Sequence, residues 1–353
     1  MRSCWRFFAA PPLYWPMTII GYILDIAAVP ALALVGSHGW IAACILLVIQ
    51  RTGKAIKKPA KDTIMSFAAS QEGAGKSFGL QEVLDQIGAF LGPVFLYLVL
   101  LFRQDGPELQ KYAVCFAVLA IPGAITLILL LFTRARFPNP EQFEPEPKEY
   151  GPFKLSGEFI FYIAGISLFA FGFIDYSVVI MHISRTYMFA SETLPLIYAG
   201  AMLVDAVAAL GFGLLYDKKG IRALVWSTLL SAPFAILLFA GKGIPTLLLG
   251  IVMWGIGMGA QESILKAVVT NIVPKQNRAT GYGIFECSFG VCWFLGSWLI
   301  GVLYDFSLPV MISVSVGAQL AAIPFYLITS KKTQQPGSMS HIKKLRPGSG
   351  QCH

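Results

Sequence analysis

Residues 78–92 read FGLQEVLDQIGAFLG, and residues 282–296 read YGIFECSFGVCWFLG. The two align without a gap at an offset of 204 residues. Gly79 meets Gly283, Glu82 meets Glu286, and Phe90-Leu91-Gly92 meets Phe294-Leu295-Gly296. Each copy is an apolar helical run with one glutamate near its start. A carboxylate at membrane depth is costly and is a functional candidate by default.

Just upstream, EGAGKS (residues 72–77) ends like a phosphate-binding loop. The full pattern G-x-x-x-x-G-K-[ST] needs a glycine where Ser70 stands, and it needs a preceding strand. Here the preceding run is RTGKAIKKPAKDTIMSFAA, basic and helical. No nucleotide partner is expected; Gly75 and Lys76 belong to a turn leading into an apolar helix.

The 353 residues are 56% apolar and 13% charged. Soluble domains carry about 45–50% apolar and about 25% charged residues, so the excess points to a polytopic membrane protein in contact with a lipid bilayer. Ten apolar runs approach the roughly 20 residues a spanning helix needs. They lie near 15–36, 39–66, 78–102, 109–132, 156–183, 192–216, 222–241, 245–273, 280–304 and 308–329. The charged, proline-rich segment 133–155 divides four spans from six. The expected organisation is therefore an atypical segment at 1–14, a first half at 15–132, a cytoplasmic linker at 133–155, a second half at 156–329 and a disordered cytoplasmic tail at 330–353. Lys and Arg crowd the side that holds both termini, the linker and the tail, which makes that side cytoplasmic. The net charge of +8 reads as this loop bias, with no nucleic-acid surface. The six cysteines are scattered and no pair has zinc-ligand spacing, so neither a metal site nor a cofactor is expected.

Between the sixth and seventh spans stands GLLYDKKGIR, residues 213–222. Gly213, Asp217, Lys218, Gly220 and Arg222 match the G-x-x-x-D-[RK]-x-G-x-[RK] loop of the major facilitator superfamily, which the chain resembles from Tyr14 to about Thr329. RTGKAIKKPAKDTIMS, FGLQEVLDQIGAFLGP and MGAQESILKAVVTNIVPKQNRATGYGIFE look like the fourth, fifth and tenth-to-eleventh spans of a prokaryotic branch. The resemblance implies an all-α, two-half pseudo-symmetric bundle, alternating access and a small-molecule substrate near the midplane. Repeated halves suit that reading, since many secondary transporters place the substrate path between them. A complete member has twelve spans. The repeat register reaches residues 13–16 where the first-half copy of the loop should end, so the expectation is a chain lacking the first two helices, with no symmetry mate for Asp217.

Ionisable residues inside the spans are the site candidates: Glu82, Asp85, Glu286, Asp175, Arg51, Gln261 and Glu262. Glu82 and Glu286 are read as a pseudo-symmetric pair able to couple a proton to transport, or else as packing hydrogen bonds. Asp25 and Asp205 are lone carboxylates that could equally stabilise packing. Lys58 and Lys61 are read as reaching toward the cytoplasm, with Lys58–Asp62 and Glu262–Lys266 as helical i,i+4 pairs. Gly88, Gly92 and Pro93, with Gly255 and Gly259, read as close-packing surfaces. Gly88-x-x-x-Gly92-Pro93 resembles an element of some exporters and hints at efflux. No nucleophile–histidine–acid set is present, so no enzyme is expected. The reading is a proton-coupled permease of the cytoplasmic membrane. The alternatives are a non-transporting remnant or accessory membrane protein and, more remotely, a membrane-embedded enzyme.

Overall fold

The computed structural model describes residues 14–36, 39–102, 108–143, 155–186 and 194–333. The expectations for segment 1–13, for most of the linker and for the tail from 334 fall outside the described residues. Within them the chain forms thirteen α-helices and no strand. They are α1 (Tyr14–Ala31), α2 (Trp40–Glu72), α3 (Ala74–Phe102), α4 (Glu108–Val118), α5 (Ala120–Arg136), α6 (Gly157–Gly172), α7 (Tyr176–Thr186), α8 (Leu194–Lys219), α9 (Arg222–Ser231), α10 (Phe234–Phe239), α11 (Ile244–Ile272), α12 (Arg278–Phe306) and α13 (Leu308–Thr333).

Eight stretches among the described residues are long and apolar enough to cross a membrane. Helices α2 and α3, expected as the second and third spans, are 33 and 29 residues long but are not among the eight. The middle of α2 carries Arg51, Lys54, Lys57, Lys58, Lys61 and Asp62. Three runs read as single spans are each interrupted. Residues 173–175 separate α6 from α7, Ala232-Pro233 separates α9 from α10, and Leu119 separates α4 from α5.

The chain falls into two compact units. The first comprises Met1–Gly73, Leu84–Tyr150 and Pro274–Ile284; the second comprises Ala74–Val83, Gly151–Val273 and Phe285–His353. The opening turns of the repeat-related helices α3 and α12 are thus exchanged between the units.

In the first unit α1 and α2 cross at Gly21 and Gly53. A Cβ on Gly21 would stand 2.8 Å from the Gly53 carbonyl oxygen, so only glycine lets the backbones meet there. The contact brings Lys57 onto Asp25 as an ion pair, with the ammonium 4.1 Å from the Tyr22 ring centre. Helix α5 buries none of its residues and presents Ile125, Ile128, Leu129 and Phe132, a face suited to hydrocarbon.

In the second unit α6 buries Phe159, Tyr162, Ile166 and Phe169, spaced three or four residues apart, which puts them on one helical face. Gly165 of that helix meets Tyr326 of α13. The Ser156 hydroxyl caps α6 by accepting from the Phe159 N–H at 3.1 Å. Near the same end of α6, the Tyr162 hydroxyl donates to the Leu265 carbonyl of α11 at 2.7 Å.

Candidate functional site

The second unit gathers its charged residues through glycine contacts. On α11 a Cβ at Gly259 would stand 2.1 Å from the Asp205 carbonyl oxygen, and one at Gly255 would stand 2.8 Å from that of Ala201. These glycines press α11 backbone onto α8. One turn beyond Gly259 comes Glu262, and a further turn brings Lys266. On the other flank of α8, Gly79 of α3 meets the Ala209 carbonyl at a Cβ distance of 2.8 Å. Glu82 lies one turn farther along α3. The three helices therefore converge on one spot.

There one carboxylate oxygen from each of Glu82, Asp205 and Glu262 lies within 4.8 Å of the other two. The Lys266 ammonium lies 3.8 Å from Glu82 Oε2. Glu82 is 3% exposed, Asp205 0% and Lys266 8%, so bulk water solvates little of the network. With all four groups ionised, three negative charges face one positive, a net charge of −2. Three carboxylates at this spacing could also share a cation, which the cysteine and histidine spacing could not reveal.

The network corrects one expectation and completes another. Lys266 pairs across helices with Glu82 and not with Glu262 on its own helix. Glu82 is met by Asp205, whose role the sequence left open. The Lys58–Asp62 pair does not form either. Asp62 is fully buried, and neither of its carboxylate oxygens has a hydrogen-bond partner. In the first unit Lys61 instead reaches Asp85 at 3.6 Å, and the Asp25–Lys57 pair was not foreseen. Arg51 is exposed on α2. Gln261 is 3% exposed, with neither amide atom hydrogen-bonded. Glu286 is half-buried on α12 and does not belong to the three-carboxylate group.

Asp217 lies at the far end of α8. Its two carboxylate oxygens accept from the Gly75 N–H at 2.8 Å and the Lys76 N–H at 2.7 Å. These are donors in the first turn of α3, which has no partner for them within its own helix. A carboxylate there also meets the positive end of the helix dipole. The phosphate-like GAGKS segment therefore gives its N–H groups to an aspartate. The approach needs glycine on both sides, since a Cβ at Gly75 would stand 2.1 Å from the Gly213 carbonyl oxygen. Gly220, at φ +63°, turns the chain from α8 into α9. Beside it the Asn271 amide of α11 donates to the Tyr216 hydroxyl at 2.8 Å. Lys218 and Arg222 are exposed.

Gly75→Val is expected to destabilise the protein by about 1–3 kcal/mol, because the added atoms meet backbone. Gly88 and Gly92, expected as packing glycines beside Pro93, stand in open space, where a Cβ meets nothing within 4 Å. Gly88→Ala should accordingly leave stability unchanged or raise it by up to about 1 kcal/mol. Thermal unfolding of the two variants in detergent checks both expectations.

The interruption between α6 and α7 is satisfied by distant side chains. The Gly172 carbonyl accepts from the Ser315 hydroxyl at 2.6 Å, and the Ile174 carbonyl accepts from the Trp254 indole at 2.9 Å. Asp175 accepts from the Ser177 N–H at 2.8 Å and so caps α7.

Among the described residues, eight stretches apolar enough to span, glycine-tight helix pairs and buried charged residues inside the bundle mark a multi-pass membrane protein. The chain belongs to the Major Facilitator Superfamily, whose sequence profile matches residues 160–347. It is 34% identical over 316 residues to an uncharacterised protein of Mycobacterium tuberculosis, covering 88% of this chain and 75% of that one. It is 26% identical over 289 residues to an uncharacterised MFS-type transporter of Methanocaldococcus jannaschii, covering 77% of this chain and 68% of the relative. In fold it is similar to a bacterial homologue of the iron transporter ferroportin in an outward-facing state (TM-score 0.69, 13% identity, 93% of this chain and 86% of that one). It is also similar to the fucose:proton symporter of E. coli (TM-score 0.61, 12% identity, 91% and 84%). Family and fold together make it a secondary transporter.

Proposed function

We propose that the chain moves a small solute across the cytoplasmic membrane by proton-coupled alternating access, through ten spans with both termini on the cytoplasmic side. The network of Glu82, Asp205, Glu262 and Lys266 is the coupling site. Its charge balance carries the proposal. Three carboxylates around one ammonium, buried in a helical bundle, favour the uptake of further positive charge. A proton taken up there would be released when the surrounding helices separate and water enters. The fucose:proton symporter that shares this fold couples its solute to protons, which supports the same reading here.

In this account Asp217 locks the cytoplasmic ends of α3 and α8 together through the Gly75 and Lys76 N–H groups. Asp217→Asn keeps one acceptor and loses the charge. We expect it to weaken the cap by about 1 kcal/mol and to slow transport at saturating solute while the bundle stays folded. Reconstituted flux measured beside a thermal-unfolding curve tests this, and a wild-type rate would reduce Asp217 to a topology marker.

A further inference from the structure

We infer that the solute is a hydrophobic organic cation, seated on an aromatic wall at the α6–α7 interruption; this inference rests on the transport reading above. The wall is continuous. Its backing is buried: Phe173 lies 5.9 Å from Trp254, centre to centre. Its front is made of rings that keep part of their surface accessible. Tyr176 stands 5.1 Å from Trp254 and 4.9 Å from Tyr198. On the other flank Trp293 stands 5.7 Å from Phe173 and 5.4 Å from Phe289. Tyr176, Phe289 and Trp293 are half-buried, and Tyr198 is 36% exposed.

The charges around this wall are negative. Tyr198 precedes Asp205 by seven residues, two turns along one face of α8, and Asp175 adjoins Tyr176 in the chain. Glu286 precedes Phe289 by three residues and Trp293 by seven, which puts all three on one face of α12. Lys266, the cation of the network, is engaged with Glu82.

Ring faces carry negative charge density and attract cations, most strongly where water is excluded. Nearby carboxylates add to that potential. A sugar would need a set of aligned hydrogen-bonding side chains, whereas this wall is largely hydrocarbon. An anion would be repelled by both the ring faces and the carboxylates. A lipophilic ammonium or phosphonium ion matches both.

The test is equilibrium binding to the purified protein in nanodiscs, corrected with protein-free discs. The two probes are tetraphenylphosphonium and tetraphenylborate, which share a shape and differ in the sign of charge. We expect saturable phosphonium binding at least about tenfold tighter than borate binding, a difference of about 1.4 kcal/mol. Tyr198→Ala and Trp293→Ala should each weaken it by about two- to thirtyfold, the span of a single cation–π contact. Tyr198→Phe should retain it, and Glu286→Gln should narrow the preference over borate. Equal or tighter borate binding, no saturable phosphonium binding, or affinities unmoved by both alanine variants would overturn the inference. Phosphonium binding without proton-linked flux would instead overturn the coupling proposal and leave this one standing. Proton-linked flux of another solute, with no phosphonium binding, would do the reverse.

Discussion

Replacing Lys266 with methionine is expected to cost the protein about 3–5 kcal/mol, the penalty for breaking a buried ion pair by removing one partner. The chain length and apolar stem are nearly kept, so packing loss is small. What is lost is the ammonium that stands 3.8 Å from Glu82. Glu82, Asp205 and Glu262, with one carboxylate oxygen of each within 4.8 Å of the others, would then lose that counter-charge. The expected readout is a large drop in unfolding temperature and in the fraction of monodisperse protein. Adding Glu82→Gln to Lys266→Met should restore part of the loss, because the groups form one network and their effects are not additive. Strictly additive losses would show that Lys266 acts through packing alone.

The second large effect concerns coupling. Glu82→Gln with Asp205→Asn preserves side-chain shape and removes two of the three negative charges beside Lys266. The net charge of the group then passes from −2 to zero, and the incentive to bind a proton disappears. We expect solute exchange between the two faces to continue, because the helices still pack at Gly75, Gly79, Gly255 and Gly259. Net movement driven by a pH gradient should fall to the level of protein-free liposomes. If gradient-driven transport survives at the wild-type rate with equal expression, the network is structural.

Much of this was legible in the sequence, and the reasons differ from residue to residue. Glu82 and Glu286 stood out because an internal repeat places them at one depth. Asp217 stood out because glycines and cations surround it in a known loop pattern, and its contact with the start of α3 gives that pattern a physical purpose. Sequence spacing alone misassigned Lys266, because i,i+4 proximity favours Glu262 while tertiary packing turns the ammonium to Glu82. The Asp25–Lys57 pair depends on Gly21 meeting Gly53, a crossing that apolar periodicity does not encode. The break after Gly172 was hidden for a similar reason. Its freed carbonyls are satisfied by Ser315 and Trp254, which lie 143 and 80 residues from their acceptors along the chain.

Proton movement recorded inside proteoliposomes during solute addition tests the central claim most directly. A pH-sensitive dye is trapped in the lumen, and a panel of organic cations, sugars and carboxylates is added outside. The account predicts that at least one solute moves protons through the wild-type chain, and that the same solute moves none through the Glu82→Gln, Asp205→Asn variant. Solute flux through the wild-type chain with no accompanying pH change, or an undiminished pH change in the double variant, would contradict it.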